Sequence, residues 1–273
     1  MSDRAAEAAG SAGSPPRSPA TPGPVLFARY AYPPNELGYC GPADSGDLLG
    51  TAAEGADLAT LAHLATGFTG AWPYLELIAG HNGIADPLDA RVVDAYWVGN
   101  SLLDRVPASA LMASLGHRFE HRAGKRFGPM AAAVPLGGVC QHSFHVFAVY
   151  PWLGLLRAGM EGPPLTVLDR CRIRWGRVET VSGDLVTVRN RVLAFAGSRL
   201  VLGSEQIEVV RQSLDGVGLA PQLDVGDTVS LHWDWVCDRL SPAKLARLQR
   251  CTAVNLDAVN ALPTPGPAAI CGT

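Results

Sequence analysis

The chain has 273 residues, 48% of them hydrophobic and 17% charged, enough apolar material for one large domain or two ordinary ones. A formal net charge of -3 gives no global attraction to nucleic acid or to an anionic membrane, and neither is expected as a partner. The longest apolar stretch, Val146 to Leu156, is broken by Pro151 and falls short of the roughly 20 residues that a membrane span needs.

Residues 1–24 form a Pro/Ala/Ser/Gly tract without the apolar core of a secretory signal, and they read as a disordered tail. Six cysteines, none in a CxxC pair, read as thiols in a reducing cytoplasm. Residues 25–162 read as an α-helical domain, with apolar residues at three- and four-residue spacing over Ala52–Phe68, Trp72–Ala79, Asp89–Arg105 and Ala108–His121. Asp86 is expected to cap a helix beginning at Pro87. Pro107 can head the next helix and Gly124 can end it. Cys140 to Leu156 reads as a buried helix distorted at Pro151, with a strand as the alternative.

Glu161-Gly-Pro-Pro164 reads as a linker, after which short β-branched runs take over. Strands are expected at Leu165–Leu168, Arg174–Val181, Leu185–Val188, Val192–Phe195, Gln206–Val210 and Thr228–Trp235. Ser182-Gly183-Asp184 and Asp224-Val-Gly-Asp227 supply turns between them. This pattern predicts an α+β chain in which a small antiparallel β-barrel spans residues 165–252. Ser241 and Pro242 then start a closing helix over Ala243–Cys251, and residues 253–273 read as a flexible tail.

The string Cys171-Arg-Ile-Arg-Trp-Gly176 leads into a strand, the Gly183-Asp184 turn and a second strand; Val225-Gly226-Asp227-Thr-Val229-Ser-Leu-His232 follows, with a short helix after Leu240. These two anchors, about 80 residues of chain, resemble the HypC family of nickel–iron hydrogenase maturation chaperones. The resemblance implies an OB-like barrel that docks to a HypD-like maturation protein and to the hydrogenase large-subunit precursor. The cargo would be iron carrying cyanide and carbon monoxide, or another transition metal, with Cys171 and His232 as the binding residues. A thiolate and a neutral imidazole suit such an ion. The sequence departs from the family in having a whole domain before Cys171, and Trp175 where the family has proline.

Three blocks of the helical region resemble an uncharacterised actinobacterial family met near hydrogenase genes: Phe27 to Pro42, His81 to Asp89, and Cys140-Gln-His142-Ser-Phe-His145-Val-Phe. Within them His142 and His145 share a helix face if that segment is a regular helix. Cys140, His142 and His145 form a candidate metal set, completed by His81 or Cys40. Asn35, Tyr39 and Cys40 can line a pocket.

His117-Arg-Phe-Glu120-His121 spells the H-x-x-E-H of inverted zincins, but Arg118, Arg122 and Lys125 crowd it with positive charge, as on an ordinary exposed helix end. No phosphate-binding loop or nucleophile elbow occurs. The leading expectation is therefore a non-enzymatic maturation factor. Its alternative is a metal-dependent enzyme with its site in the helical domain, the barrel serving only to dock.

Overall fold

A computed structural model describes residues 21–43, 46–54, 57–124, 127–160 and 162–263. The disordered tail expected over 1–24 falls almost wholly outside these residues, as does the end of the tail expected over 253–273. The fold is α+β: a helical half followed by a five-stranded sheet and a long final helix.

The first helix, α1 (Gly23–Glu36), was not anticipated as a helix, because Pro33 and Pro34 lie within its last turn and Gly38 and Gly41 follow. Leu26, Phe27, Tyr30 and Ala31, at three- and four-residue spacing, are nevertheless all buried, and that apolar face holds it in place. The stripe over Ala52–Phe68 is two helices, α2 (Gly46–Glu54) and α3 (Leu58–Thr66). Asp57 starts the second by accepting from the Thr60 amide at 2.9 Å.

α4 (Trp72–His81) follows as expected. α5 (Ala90–Trp97) is capped by Asp89 rather than Asp86, whose carboxylate instead holds the Leu88 amide in the preceding turn. It stops at Trp97, where Gly99 takes a φ of 103°; a 3₁₀ turn over Ser101–Arg105, capped by Asn100, carries the rest of the stripe. α6 (Ala108–Ala123) ends at Gly124, and the short α7 (Phe127–Ala132) follows.

The segment from Cys140 to Leu156 is helical but not regular. It opens as α8 (His142–Phe144), continues as a π-helical turn over His145–Val149, and resumes after Pro151 as α9 (Trp152–Arg157). π turns widen a helix and re-aim its side chains, and they recur at functional sites.

Leu165–Leu168 is not a strand. Pro163 and Pro164 occupy the first turn of α10 (Pro163–Cys171), and Val167, Leu168 and Cys171 face the core at helical spacing. Cys171 therefore ends a helix and does not open a strand.

The sheet comprises β1 (Arg174–Ser182), β2 (Leu185–Ala196), β3 (Arg199–Arg211), β4 (Thr228–His232) and β5 (Trp235–Arg239). β2 runs unbroken through two of the expected strands, with one irregularity between Arg191 and Leu193, and β3 begins well before Gln206. The order β1-β2-β3-β5-β4 returns to β1, so the sheet closes on itself. Its pairs are antiparallel except for a single parallel bridge, Arg211 to Trp235, which departs from the wholly antiparallel arrangement expected. Thr228–Trp235 is a hairpin and not one strand, because Trp233 and Asp234 turn the chain between paired His232 and Trp235.

α11 (Pro242–Asn260), capped by Ser241, runs past the expected helix end at Cys251, so the tail begins later than residue 253. Asn255, in that extension, is fully buried: it accepts from the Val139 amide and donates to the Ser143 hydroxyl.

One apolar core runs through both halves, from Phe27, Tyr96 and Trp97 to Leu193, Trp235 and Leu248. A second, smaller core of valines and leucines, among them Val188, Val229 and Leu231, fills the closed sheet. Each fully buried side chain of this size contributes about 1.5–3 kcal/mol. Because that burial is shared across the seam, the two halves hold one another in position.

Candidate metal centre at the seam

Three side chains converge where the helical half meets the sheet. His142, Cys171 and His232 are at most 5% exposed, and one potential ligand atom from each lies within 4.8 Å of the others. The imidazoles of His142 and His232 meet edge to face at 5.1 Å between centroids. Trp97 backs both rings, at 4.6 and 5.7 Å.

Each donor is positioned by a different element. His142 opens the distorted helix, whose start is fixed when the Gln141 side chain accepts from the Ser143 amide and donates to the Trp97 carbonyl at 2.8 Å. Cys171 sits on the last turn of α10. There Asp169 takes two bonds from buried Arg172 and one from the Leu193 amide, locking the helix end to β2. His232 ends β4, held by the turn behind it.

In that turn Trp233 adopts a φ of 52°, a left-handed conformation costing a bulky residue about 1–2 kcal/mol. Three contacts offset the cost: its amide donates to the Arg170 carbonyl at 2.8 Å, its carbonyl accepts from Arg174, and its ring stacks on Tyr39 at 4.3 Å. Arg174 is itself fully buried and paired with Glu208.

The hydrogen bonds settle what each donor offers. His232 Nδ1 lies 2.6 Å from the Tyr30 carbonyl, which can only accept, so Nδ1 carries the proton and Nε2 bears a lone pair. That Nε2 is buried and has no hydrogen-bond partner among the described residues. A carbonyl behind one ring nitrogen is the usual outer partner of a metal-binding histidine.

His142 Nε2 donates to the Cys171 carbonyl at 2.8 Å, leaving Nδ1 to accept from the Tyr96 hydroxyl at 3.1 Å. Both nitrogens are thus engaged, and His142 can ligate a cation through Nε2 only by giving up the Cys171 carbonyl, with Nδ1 then donating to the Tyr96 hydroxyl. Burial sets the protonation of all three groups: it lowers His142 to about 4 and His232 well below the ordinary imidazole value, and it raises the Cys171 thiol. Two neutral imidazoles and a sulfur form a soft donor set, suited to iron or zinc.

A cavity of about 130 Å³ opens beside the three donors, walled by Pro34, Cys40, Tyr150, Trp152 and Val167. It adjoins all three side chains and has room for a small molecule beside them.

The remaining candidates lie elsewhere. Cys40 lines the cavity from the loop after α1 but is not one of the three grouped donors; burial raises its thiol to about 12. Asn35 pins that loop, donating to the carbonyls of Cys40 and Pro42 at 2.8 Å. His145 meets the Tyr74 hydroxyl at 3.3 Å, beside the Tyr96 that bonds His142, and is not one of the three grouped donors. Cys140 is buried outside the group, and His81 is exposed at the end of α4. The five cysteines among the described residues are free.

Sequence reading grouped His142 with Cys140 and His145 through their spacing. Its approach to Cys171 and His232 has no local signature, because it depends on how α8, α10 and β4 pack. Tyr30 and Tyr96, the partners that orient the imidazoles, were likewise missed. Helical spacing from Phe27 to Tyr30 and from Val93 to Tyr96 marks them as buried but does not reveal what their polar atoms meet.

A family model matches residues 19–265, a span covering both halves and the whole seam. The chain belongs to the family of unknown function DUF6390. No curated protein and no solved structure matches this DUF6390 chain. No helix among its described residues is long and apolar enough to cross a membrane.

Proposed function

We propose that this DUF6390 chain is a metal-handling accessory factor that holds a transition metal, iron foremost, between its helical half and its sheet. One observation carries the reading: Cys171 and His232, the two residues that the HypC resemblance singles out, meet His142 with ligating atoms within 4.8 Å of one another. The orphaned Nε2 of His232 supports it independently, since a buried acceptor without a partner is costly unless something occupies it.

The closed five-stranded sheet followed by a helix accords with an OB-like, HypC-like barrel. On that basis the process served is maturation of nickel–iron hydrogenase. The partners are the large-subunit precursor and a HypD-like protein, and the compartment is the reducing cytoplasm. When bound, the metal would carry small exogenous ligands at positions the protein leaves open. The chain's own part is to supply three donors, orient them through Tyr30 and Tyr96, and exclude bulk water. Cys171 is buried at the seam, so it acts here as a resident ligand and not as an exposed docking thiol.

The test is anaerobic titration of purified protein with Fe(II) and with Co(II) as a spectroscopic probe. One equivalent should bind with a thiolate-to-metal band. Cys171→Ala should remove the band, and Cys171→Ala or His232→Ala should weaken binding by about 100-fold, the upper end of what losing even an outer partner costs. Cys140→Ala should change neither. Protein that binds neither ion stoichiometrically would sink the reading. Copurification of the large-subunit precursor tests the hydrogenase assignment separately.

A further inference from the structure

A second, larger cleft of about 470 Å³ lies on the other side of the wall formed by Tyr39, Cys40, Tyr150 and Pro151, and no part of the metal site accounts for it. Its volume falls in the range of small-molecule pockets, and Phe119, Met130, Val149 and Tyr150 make it largely apolar. Its polar lining includes Thr69 and the imidazole of His145, which is 4% exposed.

The orientation of His145 follows from its neighbours. Its Nδ1 meets the hydroxyl of fully buried Tyr74, for whose hydrogen no other acceptor is recorded among the described residues. With Tyr74 donating, Nδ1 accepts, and a neutral imidazole carries its proton on Nε2. Nε2 faces the cleft across Gly70: a Cβ on that glycine would lie 3.3 Å from it, so a side chain there would crowd this edge. Burial first, then the neighbouring His142 and Arg118, keep the ring neutral.

Arg118 supplies the charge. Its guanidinium donates to the Gly70 carbonyl at 3.3 Å and lies over the rings of Tyr74 and Phe119, at 4.7 and 4.6 Å. It has no acidic partner among the described residues, and its Nη1 is buried without a hydrogen bond. The cleft thus combines a largely apolar wall, the inward N–H of His145 and an uncompensated cation beside Gly70 and Phe119, and no carboxylate is among its lining residues.

We infer that this cleft binds a small organic acid, its apolar body against Phe119 and Met130 and its carboxylate accepting from His145 Nε2 within the field of Arg118. The inference goes beyond the metal reading and does not depend on it.

The test titrates the full chain with phenylacetate, phenylacetamide and ethylbenzene, followed by ligand-observed NMR and calorimetry. Phenylacetate should bind saturably and at least tenfold more tightly than the amide, with ethylbenzene weakest. Arg118→Met should bring acid and amide within about twofold of each other. His145→Phe should weaken the acid about tenfold, and Gly70→Leu should abolish binding. His145→Phe keeps an aromatic ring at the position while removing both ring nitrogens, so it decides the matter if Gly70→Leu fails to fold. No saturable binding of phenylacetate, an acid no tighter than its amide, or affinities unmoved by Arg118→Met and His145→Phe would overturn the assignment.

Discussion

The pair His117 and His121 on α6 and the trio His142, Cys171 and His232 at the seam offer similar donor chemistry in opposite surroundings. The first pair carries a complete sequence motif, with Glu120 in register, yet all three side chains are exposed and form no metal-ligating group among the described residues. The trio carries no local motif joining His142 to the other two, yet it is buried, backed by Trp97 and oriented by Tyr30 and Tyr96. The difference teaches that a ligand set depends less on spacing than on what removes water and fixes the tautomer. An exposed imidazole keeps its water, whereas a buried lone pair lacks a partner until one arrives.

Three perturbations probe that contrast. The largest effect is expected from Trp97→Ala, which removes a fully buried ring in contact with both seam histidines and should cost about 3–5 kcal/mol in urea unfolding. Metal affinity should fall with it; retention of full stability would show that the seam is not tightly packed.

A moderate effect is expected on acidification. His145 is held well below the ordinary imidazole value, chiefly by burial. Above pH about 6.5 it is neutral in folded and unfolded chains alike. As the pH falls, the unfolded chain takes up the proton first, so stability present above that value is lost on the way down. Between pH 7 and pH 5.5 the loss from this residue should reach about 1 kcal/mol. His145→Gln should reduce the pH dependence of the unfolding midpoint; an unchanged profile would show that His145 does not contribute.

The smallest effect is expected from His117→Ala combined with His121→Ala, within about 0.5 kcal/mol as for other exposed sites. Metal stoichiometry should stay unchanged. Loss of the bound metal in that double variant would invert the comparison.

The parts of the fold that were legible in the sequence are those governed by local chemistry. The Ser182-Gly183-Asp184 turn, the Ser241 cap and the break at Pro151 follow from backbone preferences within a few residues. What was misread turned on competition between signals. Thr166-Val167-Leu168 reads as β-branched and apolar, and only the Pro163-Pro164 start favours α10. The β4–β5 turn was hidden because Trp233 occupies a left-handed position where glycine or asparagine would have announced it. At the site, the family resemblance brought Cys171 and His232 forward together, while His142 was drawn toward its sequence neighbours. No periodicity could show that His142 and His145 bond different tyrosines and that only His142 reaches Cys171 and His232.

The hydrogen bond from His232 to the Tyr30 carbonyl also ties the site to the order in which the chain is made. A backbone oxygen from the first helix decides which nitrogen of a late strand is free to bind, so the donor set cannot exist in a nascent chain that lacks β4. A helical half folding ahead of the sheet would present His142 and Cys171 without His232, one donor short of the set. Completion of the sheet therefore completes the donor set, and under the proposed function metal loading would report that both halves have folded against each other.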